Sequence, residues 1–193
     1  MRKLVFSVVL LFLFSIGKSQ LLSWTPAFPT ETTTSFVITM DATKGNLGLN
    51  NYSNTSDVYI HTGVITSAST SSSDWRYVKF NQNFNTPNAS LQATYLGANR
   101  WQFTINGDLR TYYGVPAGET ILKIALLFRN GAGSAVQRNL DGSDMYIPIS
   151  TSALSARVTV PFKQPTYNPK PEPINKVIGN NVAITGVCNL AST

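Results

Sequence analysis

His61 is the chain's only histidine, and so the only side chain whose ordinary pKa suits a general base near neutrality. It is followed by Thr62 and Gly63, and no serine in an elbow motif stands anywhere in the chain, so a nucleophilic triad lacks its parts. Glycoside hydrolysis needs two carboxylates facing each other across a cleft. Asp57, Asp74, Asp108, Asp141 and Asp144 nearly all adjoin turn residues, where Asp hydrogen-bonds its own backbone, and no pair stands out. One His and one Cys exclude a His/Cys zinc cage within the chain. Asp141 and Asp144 offer two carboxylates where calcium takes about six to eight oxygens, so a turn is the better reading. The residues thus predict a segment with no catalytic site, no metal and no cofactor.

What the chain has in excess is aromatic rings beside uncharged hydrogen-bonding groups. Trp75 follows Ser71-Ser72-Ser73-Asp74, and Asn81-Gln82-Asn83-Phe84-Asn85 comes just after it. Tyr112-Tyr113 precede Gly114, and Arg129-Asn130 open a Gly-containing turn. A neutral sugar has apolar ring faces edged with hydroxyls, which an aromatic platform flanked by amides and hydroxyls complements. Trp75 begins a periodic segment at the end of a polar loop and reads equally as a core plug or as such a platform. Tyr112 and Tyr113 are adjacent, so in extended chain one points inward and one outward; Tyr113 is taken as the outward one.

Short strands must position these groups. Phe36, Ile38 and Met40 share one face of a period-two run, Val58 and Ile60 oppose Tyr59 and His61, and Trp101, Phe103 and Ile105 alternate with Gln102 and Thr104. Trp75, Tyr77 and Lys79 likewise alternate with Arg76, Val78 and Phe80, which predicts another strand. Residues 121–128 are apolar almost throughout, as in a central strand buried on both faces. Turn signals follow at Asn130-Gly131 and Asp141-Gly142, and Asp108 can cap a short helical turn reaching Tyr113. Strands at this spacing predict an all-β antiparallel sandwich over residues 20–150. Residues 151–193, with a strand at Arg157–Phe162, prolines at 165, 169, 171 and 173 and a strand-like run at 181–187, read as a linker and the truncated start of a second β domain, with a C-terminal arm that packs back on the sandwich as the alternative. Cys188 reads as a small core residue.

Composition narrows the partner. Charged residues make up only 12% of the 193, against about 25% in an average domain, so the surface is one of hydroxyls and amides. Met1-Arg2-Lys3 precede an apolar run over residues 4–16, and Gly17 and Ser19 stand where a signal peptidase needs small residues. Residues 1–19 therefore read as a cleavable signal peptide, which sends the protein to the exterior or the cell surface with no membrane contact afterwards. Cleavage removes Arg2, Lys3 and Lys18 and lowers the net charge from +6 to +3. The remaining charges are scattered singly, without the basic stripe of a nucleic-acid surface.

The ordered set Trp24-Thr25-Pro26-Ala27-Phe28-Pro29, Val58-Tyr59-Ile60-His61-Thr62-Gly63-Val64, Asp74-Trp75, Tyr112-Tyr113-Gly114-Val115-Pro116, Phe128-Arg129-Asn130-Gly131 and Asp144-Met145-Tyr146 resembles the N-terminal module of secreted bacterial α-amylase-type glycoside hydrolases. The resemblance covers residues 22–150. It implies an Ig-like antiparallel β-sandwich related to starch-binding modules, with Trp75, Tyr113 and Asn130 at positions that contact α-glucan, followed by the start of a second Ig-like domain in residues 155–193 and a catalytic barrel linked downstream. The expectation is a non-catalytic accessory module that holds a polysaccharide, with a ligand-free spacer or surface-adhesion domain as the alternative.

Overall fold

Phe36, Ile38 and Met40 are fully buried along strand β2 (Ser35–Asp41), while Val37 and Thr39 between them are only half-buried. This period-two burial recurs through the computed structural model, which describes residues 20–79, 83–150, 154–168, 181 and 183–189. β2 lies between β1 (Leu22–Thr25) and β5 (Arg100–Asn106), and β4 (Thr94–Gly97) completes an antiparallel sheet of order β1-β2-β5-β4. Its register sets Ile38 opposite Phe103 and Met40 opposite Trp101.

The second sheet is built on β6 (Ile121–Asn130), the long apolar run. β3 (Val58–Thr66) pairs along one of its edges, while β7 (Val136–Gln137) and β8 (Met145–Pro148) share the other. Both sheets contribute to one core. Leu22, Phe36, Ile38, Trp101 and Ile105 from the first pack in a single cluster with Val58, Ile60, Ile124, Leu126, Phe128 and Ile147 from the second. Burying each such side chain contributes about 1.5–3 kcal/mol, so this cluster is the main source of stability. The described domain is therefore mostly β, antiparallel and nearly helix-free.

Two segments differ from their sequence reading. Residues 75–79 do not form a strand. Val64 and Arg76 exchange backbone hydrogen bonds of 2.9 and 2.8 Å, and the Lys79 amide donates to the Thr62 carbonyl at 2.9 Å. Tyr77, between them, adopts a φ of 49°, a left-handed conformation that interrupts continuous pairing. The segment thus lies irregularly along the edge of β3; Phe80, the last residue of the predicted strand, is outside the described residues. The second difference concerns Tyr113. Asp108 accepts from the Thr111 amide at 2.9 Å and caps α1 (Leu109–Tyr113), and Gly114 ends it at a φ of 75°. In a helix, positions four apart share a face, so Leu109 and Tyr113 both turn inward, and Tyr113, read from the sequence as the outward member of its pair, is buried.

Beyond residue 153, β9 (Ala156–Val160) and β10 (Thr185–Cys188) form a two-stranded ribbon. Cys188 is exposed there, not buried in a core as its sequence reading had it, because a two-stranded ribbon has no interior to receive it. The segment touches the larger sheets at defined points. The Arg157 guanidinium lies 4.5 Å from the Trp24 ring centroid, and Lys123 Nζ donates to the carbonyls of Thr166, at 3.4 Å, and Tyr167. No helix among the described residues is long and apolar enough to cross a membrane. The signal-peptide reading over residues 1–19 and the prolines at 169, 171 and 173 fall outside the described residues.

Candidate functional site

Alternation along β3 sends Val58, Ile60 and Val64 into the shared core and turns Tyr59, His61 and Ile65 to the opposite face of the sheet. On that outer face His61 stands between two other rings. Trp75 lies 5.7 Å away at 30°, and Phe84 lies 5.2 Å away, edge-on at 79°. The Trp75 indole is oriented by a 3.0 Å hydrogen bond from its Nε1 to the Ser72 carbonyl, within the irregular segment that backs β3. These rings, with Val78 and Leu127, floor a shallow depression of about 380 Å³ whose polar rim is Ser73, Arg138 and Asp144.

Phe84 is held by the second sheet. Arg129, on β6, donates to the carbonyls of Asn130 at 2.9 Å, Gly131 at 3.1 Å and Thr86 at 2.9 Å, and its guanidinium lies 5.1 Å from the Phe84 ring centroid. The planar fork thus ties the loop bearing Phe84 to the β6–β7 turn. Burial pushes the His61 pKa below its ordinary value, and the cationic Arg129 and Arg138 push it further the same way, so the imidazole is neutral at pH 7. Burial raises the Asp144 pKa, opposed by Arg138, which pairs with its carboxylate.

The three sequence-predicted residues are not brought together. Trp75 is half-buried: it packs against both apolar clusters and also lines the depression, so it is plug and wall at once. Tyr113 is 5% exposed, and its hydroxyl meets Thr62 Oγ1 at 2.8 Å on the core side of β3, opposite His61. It offers no platform at the surface. Asn130 is buried and spends its amide on the fold: Nδ2 donates to the Tyr52 hydroxyl at 3.3 Å and to Ser134 Oγ at 3.1 Å, and Oδ1 accepts from the Ala135 amide at 3.0 Å.

No family model matches the chain, and no curated protein matches it. The chemistry of the depression must therefore be read from its own residues. Its apolar ring surfaces and neutral imidazole sit beside a hydroxyl and an ion pair. Among the described residues no group of three or more His, Cys, Asp or Glu is placed to hold a metal ion. Sequence reasoning missed His61 and Phe84 as walls of the site. For His61 the signal was its outward position one residue from Ile60; for Phe84 it was an aromatic residue set among four amide side chains.

Proposed function

We propose that residues 20–150 are an Ig-like β-sandwich serving as a non-catalytic carbohydrate-binding module of a secreted glycoside hydrolase, and that it holds a neutral polysaccharide, α-glucan first among them, against Trp75. The observation that carries this reading is the depression on the outer face of the second sheet, where Trp75, His61 and Phe84 stand side by side beneath a rim of Ser73, Arg138 and Asp144. Sugar rings stack on aromatic walls, and their hydroxyls find donors and acceptors at the rim. With His61 neutral, Arg138 at the rim paired with Asp144 and the Arg129 guanidinium engaged by three backbone carbonyls, the lining holds no open cation to call for an anionic ligand. Polysaccharide on one side and a downstream catalytic domain on the other are the partners this role requires.

A second reading, a ligand-free spacer or adhesion domain, is favoured by a different observation. Tyr113 and Asn130 are both turned to structural use, which leaves Trp75 alone of the three expected contacts. Affinity electrophoresis of residues 20–193 through gels containing starch, glycogen or pullulan separates the two. Retarded mobility that Trp75→Ala abolishes supports the module. Mobility unchanged by all three polymers supports the spacer.

A further inference from the structure

A second depression, of about 410 Å³, adjoins the first across Ser72 and Ser73, and Asp144 lines both. The two are joined by a shared acceptor: the Ser72 carbonyl receives Trp75 Nε1 at 3.0 Å and the Tyr146 hydroxyl at 3.1 Å. Tyr146 is buried beneath Tyr167, with ring centroids 6.0 Å apart, and Tyr167 lines the second depression beside Thr166 and Asn168. Phe84, His61, Trp75, Tyr146 and Tyr167 therefore follow one another across the outer face of the second sheet.

Tyr167 comes from the segment beyond residue 153, and β6 fixes it in place. Lys123 Nζ donates to the carbonyls of Thr166 and Tyr167 and lies 5.0 Å from the Tyr167 ring centroid. The charged residues lining the second depression are Asp141 and Asp144, both acids. Asp141 Oδ1 is already occupied by the amide and hydroxyl of Ser143, at 3.0 and 2.6 Å. Asp144 is paired with Arg138, and Lys123 is engaged by the two carbonyls, so the lining presents no open cation to a polyanion and leaves hydroxyl, amide and phenol groups to meet neutral sugars.

Resting on the carbohydrate-binding reading, we infer that this second depression is a further subsite completed by Tyr167, and that the ligand is a neutral glycan chain long enough to lie across both. The segment after residue 153 is then part of the binding surface, and affinity grows with chain length.

Calorimetric titration of residues 20–193 with maltose, maltoheptaose and polygalacturonate tests this. Maltoheptaose binds more tightly than maltose, and polygalacturonate does not bind. Tyr167→Ala weakens maltoheptaose by about tenfold and leaves maltose within about twofold, while Tyr167→Phe restores the long-chain affinity and shows that the ring is what matters. Trp75→Ala removes binding of both sugars. If Tyr167→Ala leaves both affinities unchanged, or lowers both equally, the second subsite is refuted while the carbohydrate-binding reading stands. Binding of polygalacturonate as tight as that of maltoheptaose refutes the neutral-chain assignment. If the unmodified protein binds neither maltose nor maltoheptaose, the underlying α-glucan reading fails, and the subsite with it.

Discussion

The Tyr113 hydroxyl lies 2.8 Å from Thr62 Oγ1, and Thr62 donates its own proton to the Ala125 carbonyl at 3.0 Å. Because Thr62 has one proton and spends it on Ala125, Tyr113 is the donor of the pair. Burial holds the Tyr113 phenol far above its ordinary pKa, so this donor stays protonated. The relay crosses the core from α1 through β3 to β6. Tyr113→Phe should lower stability by about 1 kcal/mol, read from urea unfolding, and leave retention on starch gels unchanged. Lost retention without lost stability would return Tyr113 to the binding surface.

Arg129→Lys should loosen the loop that carries Phe84. Lysine keeps the charge but loses the planar fork that reaches Asn130, Gly131 and Thr86 together. Faster amide exchange around residues 83–87 should accompany weakened retention that falls short of the loss in Trp75→Ala. Unchanged exchange there would show that Arg129 does not position Phe84.

His61 makes stability depend on pH with a definite sign. The folded-state pKa lies below the unfolded value of 6.5, so the unfolded chain takes up a proton that the folded chain refuses. Stability is greatest above pH 6.5 and falls as pH drops from there toward the lower folded-state pKa. With no other histidine in the chain, His61→Asn should flatten this dependence between pH 7.5 and 5.5. Urea midpoints at the two values measure it, and an equal slope in both proteins would refute the assignment.

Gly48 sits where the loop between β2 and β3 crosses β7. A Cβ placed there would lie 1.9 Å from the Val136 carbonyl oxygen, which Asn46 Nδ2 also contacts at 2.9 Å. Backbone lies on both sides of the clash, so no side chain can swing away to relieve it. Gly48→Ala should cost about 3 kcal/mol, the upper end for overpacking, whereas a change below about 0.5 kcal/mol would show that the loop shifts freely.

Strong alternation made β2 and β5 legible, and the apolar run at residues 121–128 announced β6 as a central strand. Asp108 announced α1 by its capping chemistry. What alternation does not encode is whether a neighbouring backbone pairs continuously, so Trp75–Lys79 read as a strand although Tyr77 breaks it. Tyr113 was misdirected because adjacency in an extended chain says that one of Tyr112 and Tyr113 points outward but not which, and in the helix Tyr113 shares the buried face of Leu109. Asn130 stands in a turn rich in polar groups, and only the closure of that turn decides whether its amide faces solvent or the hairpin. The depression was half legible: Trp75 lines it, whereas its neighbours come from β3 and a distant loop that tertiary packing brings together.

β3 is nine residues long and mostly apolar, and with β6 on one side its other edge would present a row of open amides and carbonyls. Arg76 and Lys79 cover one end of that edge, and Gln92 and Ala93 cover the other before the chain passes into β4. Another molecule therefore finds little there to extend, which suppresses strand-to-strand aggregation. On the proposed reading, in which copies gather on a polymer and crowd far above their concentration in free solution, this covering would keep neighbours separate as the surface fills.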